Sequence, residues 1–447
     1  MKIHFIAVGG SIMHSLAIEL KNNGYEITGS DDIIYDPAKS TLFQNGLLPK
    51  KIGWDIKNIT RDLDLVILGM HAKKNNPELL EAQKLMIPIV SFPEFIFDYS
   101  KNKKRIVIAG SHGKTTITSM IIYVLKKKNI QVDYLVGAKI SSVDKQVHLN
   151  NNKVIIIEGD EYFSSSIDLS PKFMHYKPDT LVVSGVAWDH VNVFPTLDLY
   201  QNAFKNLAKI VNKKGGQIYF SDNDNFLLDI LNGNSVNNQS YHLPKYIVEN
   251  GQFVLIYNSK KIPLNIFGQH NLYNIEAARC VCAEFGISSE EYYNIICDFK
   301  GANRRLMLIK NFDDHSSIYY DFAHSPSKVL ATINALSELN PNRYLISCLE
   351  LHTFSSLNKN FLPNYADVFK NSHEVWIYIP KEIILKKSSN KLAEDFIKKI
   401  IKHPKVFICE DLDILKEKVL SIKFYNTNLL LMSSGNFSGL NINTMYN

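Results

Sequence analysis

Short apolar runs and longer amphipathic stretches alternate along most of the chain. Residues 2–8, KIHFIAV, form an apolar run typical of a β-strand, and residues 11–23 carry apolar side chains at helical spacing. Strands that alternate with helices are typical of open, mostly parallel sheets, so the pattern predicts the α/β class. Further apolar runs, most of them separated by helical stretches, cover residues 25–28, 64–68, 86–90, 106–108, 154–157, 180–184, 318–320, 344–348, 374–378, 406–408 and 428–432.

The length of the chain predicts more than one domain, because 447 residues exceed what a single hydrophobic core holds. A short basic linker at Lys101–Arg105 marks the first boundary, and a third region begins near Gly301. We therefore predict three domains, which cover residues 1–104, 105–303 and 304–447.

The stretch 105–118, RIVIAGSHGKTTIT, has the layout of a phosphate-binding loop between a strand and a helix. Gly110 and Gly113 lack a Cβ, so backbone N–H groups can converge on phosphate oxygens, and Lys114 is placed to reach terminal phosphates. The usual loop has four residues between its glycines and this one has two, and an ordinary strand-to-helix turn is the alternative. The predicted loop residues are Gly110, Ser111, His112, Gly113, Lys114, Thr115 and Thr116.

Acidic side chains follow the apolar strand 154–157. Glu158, Asp160 and Glu161 lie together at its end, where a cation such as Mg²⁺ would offset their charge; a solvated acidic turn is the alternative. Asp189 and His190 follow the strand 180–184, and the carboxyl ends of parallel strands meet at one edge of a sheet. The pair could therefore reach the same metal ion, although an isolated histidine is more often structural.

Two further pairs of polar residues begin or precede helices. Asp321 and His324 follow the strand 318–320, again at a carboxyl end. His270 and Asn271 stand at the start of a helix that runs through Cys282. An asparagine there can cap the helix or contact the edge of a purine base.

The first strand and helix are joined by a glycine turn, Gly9-Gly10-Ser11. An acidic residue, Asp31, follows the second strand, as in half of a dinucleotide-binding domain. The turn lacks the G-x-G-x-x-G pattern, so a nicotinamide dehydrogenase is weakly supported. A bound diphosphate at the helix start is favoured over that reading and over a plain βα turn.

Composition narrows the function classes. The chain is 45% hydrophobic and 21% charged, as in a folded globular protein, and its net charge of +6 is far from that of a nucleic-acid-binding protein. Its five cysteines lack metal-ligand spacing, which predicts reduced and mostly buried thiols. No apolar run approaches the ~20 residues of a membrane span, and no leader precedes the first strand, so we expect a cytoplasmic protein without membrane contact.

Taken together, these motifs resemble the Mur ligases, the ATP-dependent amide ligases that build bacterial cell-wall precursors. The resemblance covers nearly the whole chain and includes the short glycine loop. It implies a Rossmann-like N-terminal domain, a central ATPase domain with the phosphate loop, and a Rossmann-like C-terminal domain that closes over ATP and binds the acceptor. The motifs occur in the family's order: GSHGKTT at 110–116, EGDE at 158–161, DH at 189–190, GQHNLYN at 268–274, RRL at 304–306 and YDFAHSP at 320–326.

The resemblance also implies roles for individual residues. ATP would phosphorylate the lactyl carboxylate of UDP-N-acetylmuramate, and an amine would attack the resulting acyl phosphate. The implied catalytic residues are Lys114, Glu158, His190, Arg305, Asp321 and His324. The nucleotide would also contact His270 and Asn271, and Mg²⁺ would bind Thr115, Glu158 and His190. The UDP-sugar would lie near Gly9, Gly10, Ser11, Ser30, Asp31, His71 and Asn76.

Two branches of the family use a free muramic carboxylate, and they differ in the acceptor. Residues 160–176, DEYFSSSIDLSPKFMHY, resemble the branch that adds the tripeptide L-alanyl-γ-D-glutamyl-meso-diaminopimelate in peptidoglycan recycling. The branch that adds L-alanine in peptidoglycan synthesis is the alternative. Ser325, where a second histidine is usual, and residues 351–356 depart from the pattern. A non-catalytic relative would have lost the phosphate loop or the acidic motif, and this chain keeps both, so we expect an active enzyme. We expect it to be a monomer or a weak homodimer.

Overall fold

A computed structural model describes residues 1–137, 145–301, 305–312, 315–383 and 394–446. The chain divides into two compact units. The first contains residues 1–186, 201–242 and 277–287, and the second contains residues 187–200, 243–276 and 288–447. In the described part of the chain, every helix is too short or too polar to traverse a lipid bilayer.

The first unit begins with a four-stranded parallel sheet of order β2-β1-β3-β4. Its strands are β1 (Lys2–Ile6), β2 (Glu26–Ser30), β3 (Leu65–Leu68) and β4 (Ile89–Ser91). Its helices are α1 (Ser11–Asn22), α2 (Ala38–Gln44), α3 (Pro77–Lys84) and α4 (Phe92–Ser100). Pro77 occupies the first turn of α3, where its missing N–H costs nothing.

A seven-stranded sheet of order β11-β10-β9-β5-β8-β6-β7 completes the first unit, and only its β6–β7 pair is antiparallel. Its strands are β5 (Lys104–Ala109), β6 (Asp133–Leu135), β7 (Val147–His148), β8 (Val154–Glu158), β9 (Thr180–Val183), β10 (Gln217–Ser221) and β11 (Asn238–Tyr241). The helices are α5 (Lys114–Lys127), α6 (Lys172–His175), α7 (Leu197–Lys213), which begins in the second unit, and α8 (Asn225–Leu231).

The core of this sheet explains where the phosphate loop lies. Strands β5, β8 and β9 are neighbours, and residues 106–108, 155–157 and 181–183 on them are buried and apolar. Their register pairs Ile108 with Glu158 on one side and with Val182 on the other. The loops that follow the three strands therefore leave the same edge of the sheet.

The second unit holds a three-stranded antiparallel sheet, β12-β13-β14, and a six-stranded sheet of order β15-β16-β20-β17-β18-β19. The strands are β12 (Tyr246–Glu249), β13 (Gln252–Tyr257), β14 (Lys260–Pro263), β15 (Met307–Phe312), β16 (Ser316–Asp321), β17 (Tyr344–Glu350), β18 (Glu374–Tyr378), β19 (Val406–Cys409) and β20 (Thr427–Met432). The helices are α9 (Gln269–Ala283), which ends in the first unit, α10 (Ser289–Ile296), α11 (Pro326–Leu339), α12 (Glu394–Ile401), α13 (Leu412–Leu420) and α14 (Ile442–Met445).

The α/β class and its mostly parallel sheets are confirmed. Only the β15–β16 pair of the six-stranded sheet is antiparallel. The apolar pattern did not predict β15, because this edge strand leaves Met307 and Leu308 exposed. All five cysteines are free thiols and four are buried, as expected. Arg304 and the predicted boundary at residues 303–304 lie outside the described residues.

Candidate active site

The loop between β5 and α5 takes up a conformation that requires glycine at two positions. Gly110 has φ +130° and Gly113, the residue before α5, has φ +79°. A Cβ on Gly110 would lie 2.3 Å from Oγ of Ser184, so the loop passes directly against the residue that follows β9. The N–H of Ser111 donates to the carbonyl of Gly185 at 2.9 Å and ties the two loops together.

Lys114 opens α5 and points back across its own loop. Its Nζ donates to the carbonyl of Gly110 and to Oε2 of Glu161, both at 2.7 Å. Burial alone would lower the pKa of Lys114, but the charges of Glu161 and Asp160 outweigh burial and raise it. The lysine is therefore a fixed cation beside a glycine loop and a helix N-terminus, an arrangement that suits a phosphate group.

Thr115 and Glu158 form the second contact between loop and strand end. The hydroxyl of Thr115 donates to Oε1 of Glu158 at 2.8 Å, and the N–H of Gly137 donates to Oε2 at 2.7 Å. A hydroxyl and a carboxylate are hard oxygen donors, the kind that Mg²⁺ prefers. These two side chains consequently fit a magnesium ion.

The remaining carboxylates of the acidic turn have protein partners. Asp160 pairs with Nζ of Lys172 at 2.6 Å, and Glu161 is wholly buried against Lys114. The three carboxylates therefore do not need a metal ion to offset all of their charge, contrary to the expectation from the sequence, because two lysines offset two of the three. Only the oxygen atoms of Thr115 and Glu158 favour Mg²⁺ here.

The glycine turn after β1 leads directly into α1. The N–H of Gly9 donates to Oδ2 of Asp31 at 2.7 Å, and a Cβ on Gly9 would lie 2.9 Å from that oxygen. Gly10 precedes the helix and provides no side-chain cap. Within the described residues no side chain caps the start of α1, and an uncapped helix start is the condition for binding a phosphate there.

Other residues predicted near the sugar have internal contacts. Ser30 is buried, and its hydroxyl donates to the carboxylate of Glu78, which is also buried. The Oδ1 of Asn76 accepts the N–H groups of Glu78 and Leu79 and caps α3. His71 is exposed. Ser30 and Asn76 therefore stabilise the domain in this structure, and a role for them in sugar binding stays a prediction.

Asp189 and His190 belong to the second unit. Oδ2 of Asp189 lies 3.0 Å from Nζ of Lys328 on α11, and the N–H of His190 donates to Oδ1 at 2.8 Å. His190 has φ +57°, and its carbonyl accepts the N–H groups of Val193 and Phe194. The backbone of His190 therefore belongs to a tight turn and not to a helix or strand.

His324, between β16 and α11, is half-buried close to this ion pair. Its Nδ1 lies 2.9 Å from the carbonyl of Phe322, and its own carbonyl accepts a hydrogen bond from the hydroxyl of Tyr365. Burial and the nearby charge of Lys328 lower the pKa of His324 to about 3. The imidazole is therefore neutral at physiological pH.

Asp321, Arg305 and His270 also come together in the second unit. Oδ1 of Asp321 accepts the N–H of Ala323 at 2.7 Å, and Oδ2 accepts the N–H of Leu306 at 2.5 Å. The guanidinium of Arg305 lies 4.5 Å from the centre of the Phe322 ring. Burial lowers the pKa of His270, which interacts electrostatically with both charged residues.

Asn271 was predicted either to cap its helix or to contact a purine base. Its Nδ2 donates to the carbonyl of Phe267 at 2.9 Å, and its Oδ1 accepts from Nδ2 of Asn274 at 3.2 Å. Both ends of the amide thus have partners within α9 and the residues before it. Contact with adenine stays a prediction, and it does not require the amide to lose these partners, because the NH₂ group has two N–H donors and the oxygen has two lone pairs.

Sequence reasoning missed Lys328 and Gln146. Lys328 lies in the first turn of α11, and His324 precedes that helix, so helical periodicity does not connect the two residues. Gln146 precedes the short strand β7, and its amide joins α1 to the end of β6. No local pattern marks Gln146, because Ser15 lies 131 residues before it and Gly137 lies nine residues before it.

Comparison with known proteins agrees with the geometry. Residues 2–104 match the catalytic domain of the Mur ligase family, and residues 108–282 match the Mur ligase middle domain. A UDP-N-acetylmuramate–L-alanine ligase of Caldicellulosiruptor bescii is 30% identical over 84% of this chain and 82% of its own length. A UDP-N-acetylmuramate–L-alanyl-γ-D-glutamyl-meso-2,6-diaminoheptandioate ligase of Escherichia coli is 26% identical over 98% of this chain and 96% of its own.

Solved structures share the fold. A murein peptide ligase from Psychrobacter arcticus superposes with a TM-score of 0.65 at 22% identity, covering 98% of this chain and 97% of that one. A UDP-N-acetylmuramate–alanine ligase from Thermotoga maritima gives 0.72 at 20% identity, covering 98% and 96%. With the phosphate loop, the paired Thr115 and Glu158 and these relatives, the chain belongs to the Mur ligase family of ATP-dependent ligases.

Proposed function

We propose that this protein joins UDP-N-acetylmuramate to the tripeptide L-alanyl-γ-D-glutamyl-meso-diaminopimelate at the expense of ATP, in peptidoglycan recycling. One observation carries the choice of acceptor: residues 160–176, DEYFSSSIDLSPKFMHY, resemble the tripeptide branch. The similarity to the tripeptide ligase of Escherichia coli, which spans 98% of this chain and 96% of that protein, supports it. Residues 160–176 include Glu161, the partner of Lys114.

The reaction proceeds in two steps, which are formation of an acyl phosphate and attack on it by the amine. A carboxylate oxygen of the lactyl group attacks the γ-phosphorus of ATP, ADP leaves, and an acyl phosphate forms. The amine of the tripeptide then attacks the acyl carbon through a tetrahedral intermediate, the nitrogen loses a proton, and phosphate leaves. Phosphoryl transfer of this kind asks the protein mainly to position groups and to offset charge.

The residues of the phosphate loop are suited to the first step. We assign the β- and γ-phosphates to Lys114 and to the N–H groups of residues 110–113, since a fixed cation and a glycine loop stand together there. Thr115 and Glu158 would hold Mg²⁺, which would supply positive charge to the phosphate oxygens when bound. The roles of His190 as a further metal ligand and of Arg305, Asp321 and His324 near ATP rest on the family resemblance.

The donor sugar would bind to the N-terminal domain. The start of α1 at Gly10 and Ser11, which no side chain caps in the described part of the chain, would hold the diphosphate of the UDP group. The three-domain division at residues 1–104, 105–303 and 304–447 belongs to the same proposal. It assigns the sugar, the nucleotide and the acceptor to successive domains.

The test is release of phosphate from ATP with Mg²⁺ and UDP-N-acetylmuramate, with the tripeptide or L-alanine as the acceptor. We expect turnover with the tripeptide and a product whose mass equals the joined pair less one water. Turnover that requires no acceptor, or none with either acceptor, would contradict the proposal. Lys114→Ala is the matched inactive control, because it removes the phosphate contact.

Ligation of L-alanine is the second candidate. It is favoured by identities of 30% and 31% to L-alanine ligases of Caldicellulosiruptor bescii and Clostridium kluyveri over 84% and 82% of this chain. The same assay separates the two candidates. Turnover with L-alanine but not with the tripeptide would replace the first proposal with the second and leave the phosphoryl-transfer step unchanged.

A further inference from the structure

One face of α1 is polar and is covered by the segment 145–149. Ser11, Ser15 and Glu19 are spaced by four residues, and Asn23 continues the spacing just past the end of the helix. Side chains at this spacing lie on one face. Each of the four makes a hydrogen bond to residues 145–149, so the N-terminal domain is fastened to the segment around β7 along the whole length of α1.

At the C-terminal end of α1, Glu19 and Asn23 bind residues 145–149 through three contacts. Nζ of Lys145 lies 2.9 Å from Oε2 of Glu19, and the N–H of Leu149 donates to Oε1 at 2.9 Å. Nδ2 of Asn23 donates to the carbonyl of Leu149 at 2.7 Å. These contacts lie more than one helical turn from the glycine turn and touch none of the residues assigned to ATP.

The near end of the face differs, because its partner is a single buried amide. Oε1 of Gln146 accepts a hydrogen bond from the hydroxyl of Ser15 at 3.0 Å, while its Nε2 donates to the carbonyl of Gly137 at 3.1 Å. Nε2 also lies 3.5 Å from the hydroxyl of Ser11, the first residue of α1. Gln146 is 7% exposed, so water competes little for either end of the amide.

Gly137 continues the connection to the nucleotide side. Its N–H donates to Oε2 of Glu158 at 2.7 Å, and Oε1 of Glu158 accepts from Thr115 at 2.8 Å. An unbroken series of hydrogen bonds thus runs from the start of α1, through Gln146 and Gly137, to the two oxygen donors that suit Mg²⁺. Every residue in it belongs to the first unit.

We propose that Gln146 is a positioning residue that couples occupation of the α1 start by the UDP-sugar to the arrangement of Glu158 and Thr115. The inference rests on the proposed function, since it needs both ligands. A diphosphate at Ser11 would fix the first turn of α1 and, through Ser15 and Gln146, the position of Gly137. Each ligand would then bind more tightly when the other is present, by the same factor.

The test measures binding of UDP-N-acetylmuramate by calorimetry, with and without a non-hydrolysable ATP analogue and Mg²⁺. For the parent enzyme we expect the analogue to tighten binding by about fivefold or more. Gln146→Met keeps the volume of the side chain and removes the amide's hydrogen bonds to Ser11, Ser15 and Gly137, so the ratio should fall towards one while binding of the sugar alone changes less than twofold. Ser15→Ala, which breaks only the contact on the sugar side, should lower the ratio in the same direction.

Asn23→Ala is the matched control, because it removes a hydrogen bond from the same face of α1 outside the series. It should keep the parental ratio. A parental ratio near one, an unchanged ratio in both Gln146→Met and Ser15→Ala, or an equal loss in Asn23→Ala would each overturn the inference. Turnover of the parent enzyme with UDP-N-acetylmuramate distinguishes failure of this inference from failure of the proposed function. If the proposed function were wrong, the parent would show neither turnover nor coupled binding.

Discussion

Nζ of Lys328 lies 3.0 Å from Oδ2 of Asp189, although 139 residues separate them in the sequence. The side chain of Asp189 is 4% exposed and that of Lys328 is 16% exposed, so this pair is largely withdrawn from water. Burial alone would raise the pKa of Asp189, but Lys328, His190 and His324 together hold it well below its usual range. The pair fastens the segment that carries His190 to α11.

Lys328→Met should destabilise the protein, because it leaves the carboxylate of Asp189 buried without its cation. Removal of one partner from a buried ion pair typically costs about 3 kcal/mol or more. Urea unfolding of the parent and the variant measures the loss. Lys328→Arg should restore most of the stability, and Asp189→Asn combined with Lys328→Met should lose less than Lys328→Met alone. Equal stability of the parent and Lys328→Met would show that the pair contributes nothing.

Sequence patterns predicted the elements of the site better than its side-chain contacts. The order of β5, loop and α5 follows from an apolar run, two glycines and helical spacing, which are all local signals. The register of β5 with β8 then brings Glu158 beside the loop, as parallel strands require. Local pattern and sheet topology therefore suffice for this part.

Local pattern and sheet topology could not predict the internal contacts of Ser30 or the partner of Asp189. The hydroxyl of Ser30 contacts Glu78 on a helix 48 residues later, and the packing of β2 against α3 decides whether that side chain faces solvent or the interior. Lys328 on α11 pairs with Asp189, 139 residues earlier in the sequence. Such contacts depend on three-dimensional packing, which the spacing of apolar residues does not specify.

Lys114→Ala should abolish ligation. The variant removes the cation that contacts Gly110 and Glu161 in the loop, and loss of one such phosphate contact commonly costs about 100-fold or more in kcat. Phosphate release with saturating substrates measures the effect. Lys127→Ala, at the opposite end of α5, is the control and should keep parental activity. A Lys114→Ala enzyme within a few-fold of the parent would remove Lys114 from the nucleotide site.

Glu19 makes stability depend on pH in the acid range. Burial alone would raise the pKa of Glu19, but hydrogen bonds from His148, Lys145 and the N–H of Leu149 lower it from 4.5 to about 2. A group with a lowered pKa stabilises the fold above its unfolded pKa, and this contribution is lost as the pH falls from about 4.5 through 2.

Glu19→Gln should therefore flatten the loss of stability between pH 5 and pH 2, by on the order of 2 kcal/mol. Urea midpoints measured across this range report the difference between the variant and the parent. Glu26→Gln is the control, because the carboxylate of Glu26 is 66% exposed and its pairing with Lys2 is a surface contact. Parallel pH profiles for the parent and Glu19→Gln would refute the prediction.

Asp31 affects the pH dependence of stability in the opposite direction to Glu19, because its pKa is raised. Its Oδ2 accepts the N–H of Gly9 at 2.7 Å at the turn assigned to the diphosphate. Burial raises the pKa of Asp31 from 3.8 to about 6, and the neighbouring Asp32 adds to the increase, while the hydrogen bond from Gly9 opposes it. A raised pKa stabilises the fold below the unfolded value of 3.8, and this stabilisation is lost as the pH rises through 6.

Asp31→Asn should consequently make the protein more stable than the parent at pH 8, by about 2 kcal/mol, and equally stable at pH 4. The amide oxygen of the new side chain can still accept the N–H of Gly9, so the turn is retained without a buried charge. Urea unfolding at the two pH values gives the comparison, and Asp98→Asn, an exposed position on α4, should show no such pH dependence. A variant that is less stable than the parent at pH 8 would mean that the charge of Asp31 is required to hold Gly9, and that burial is not the dominant influence on this carboxylate.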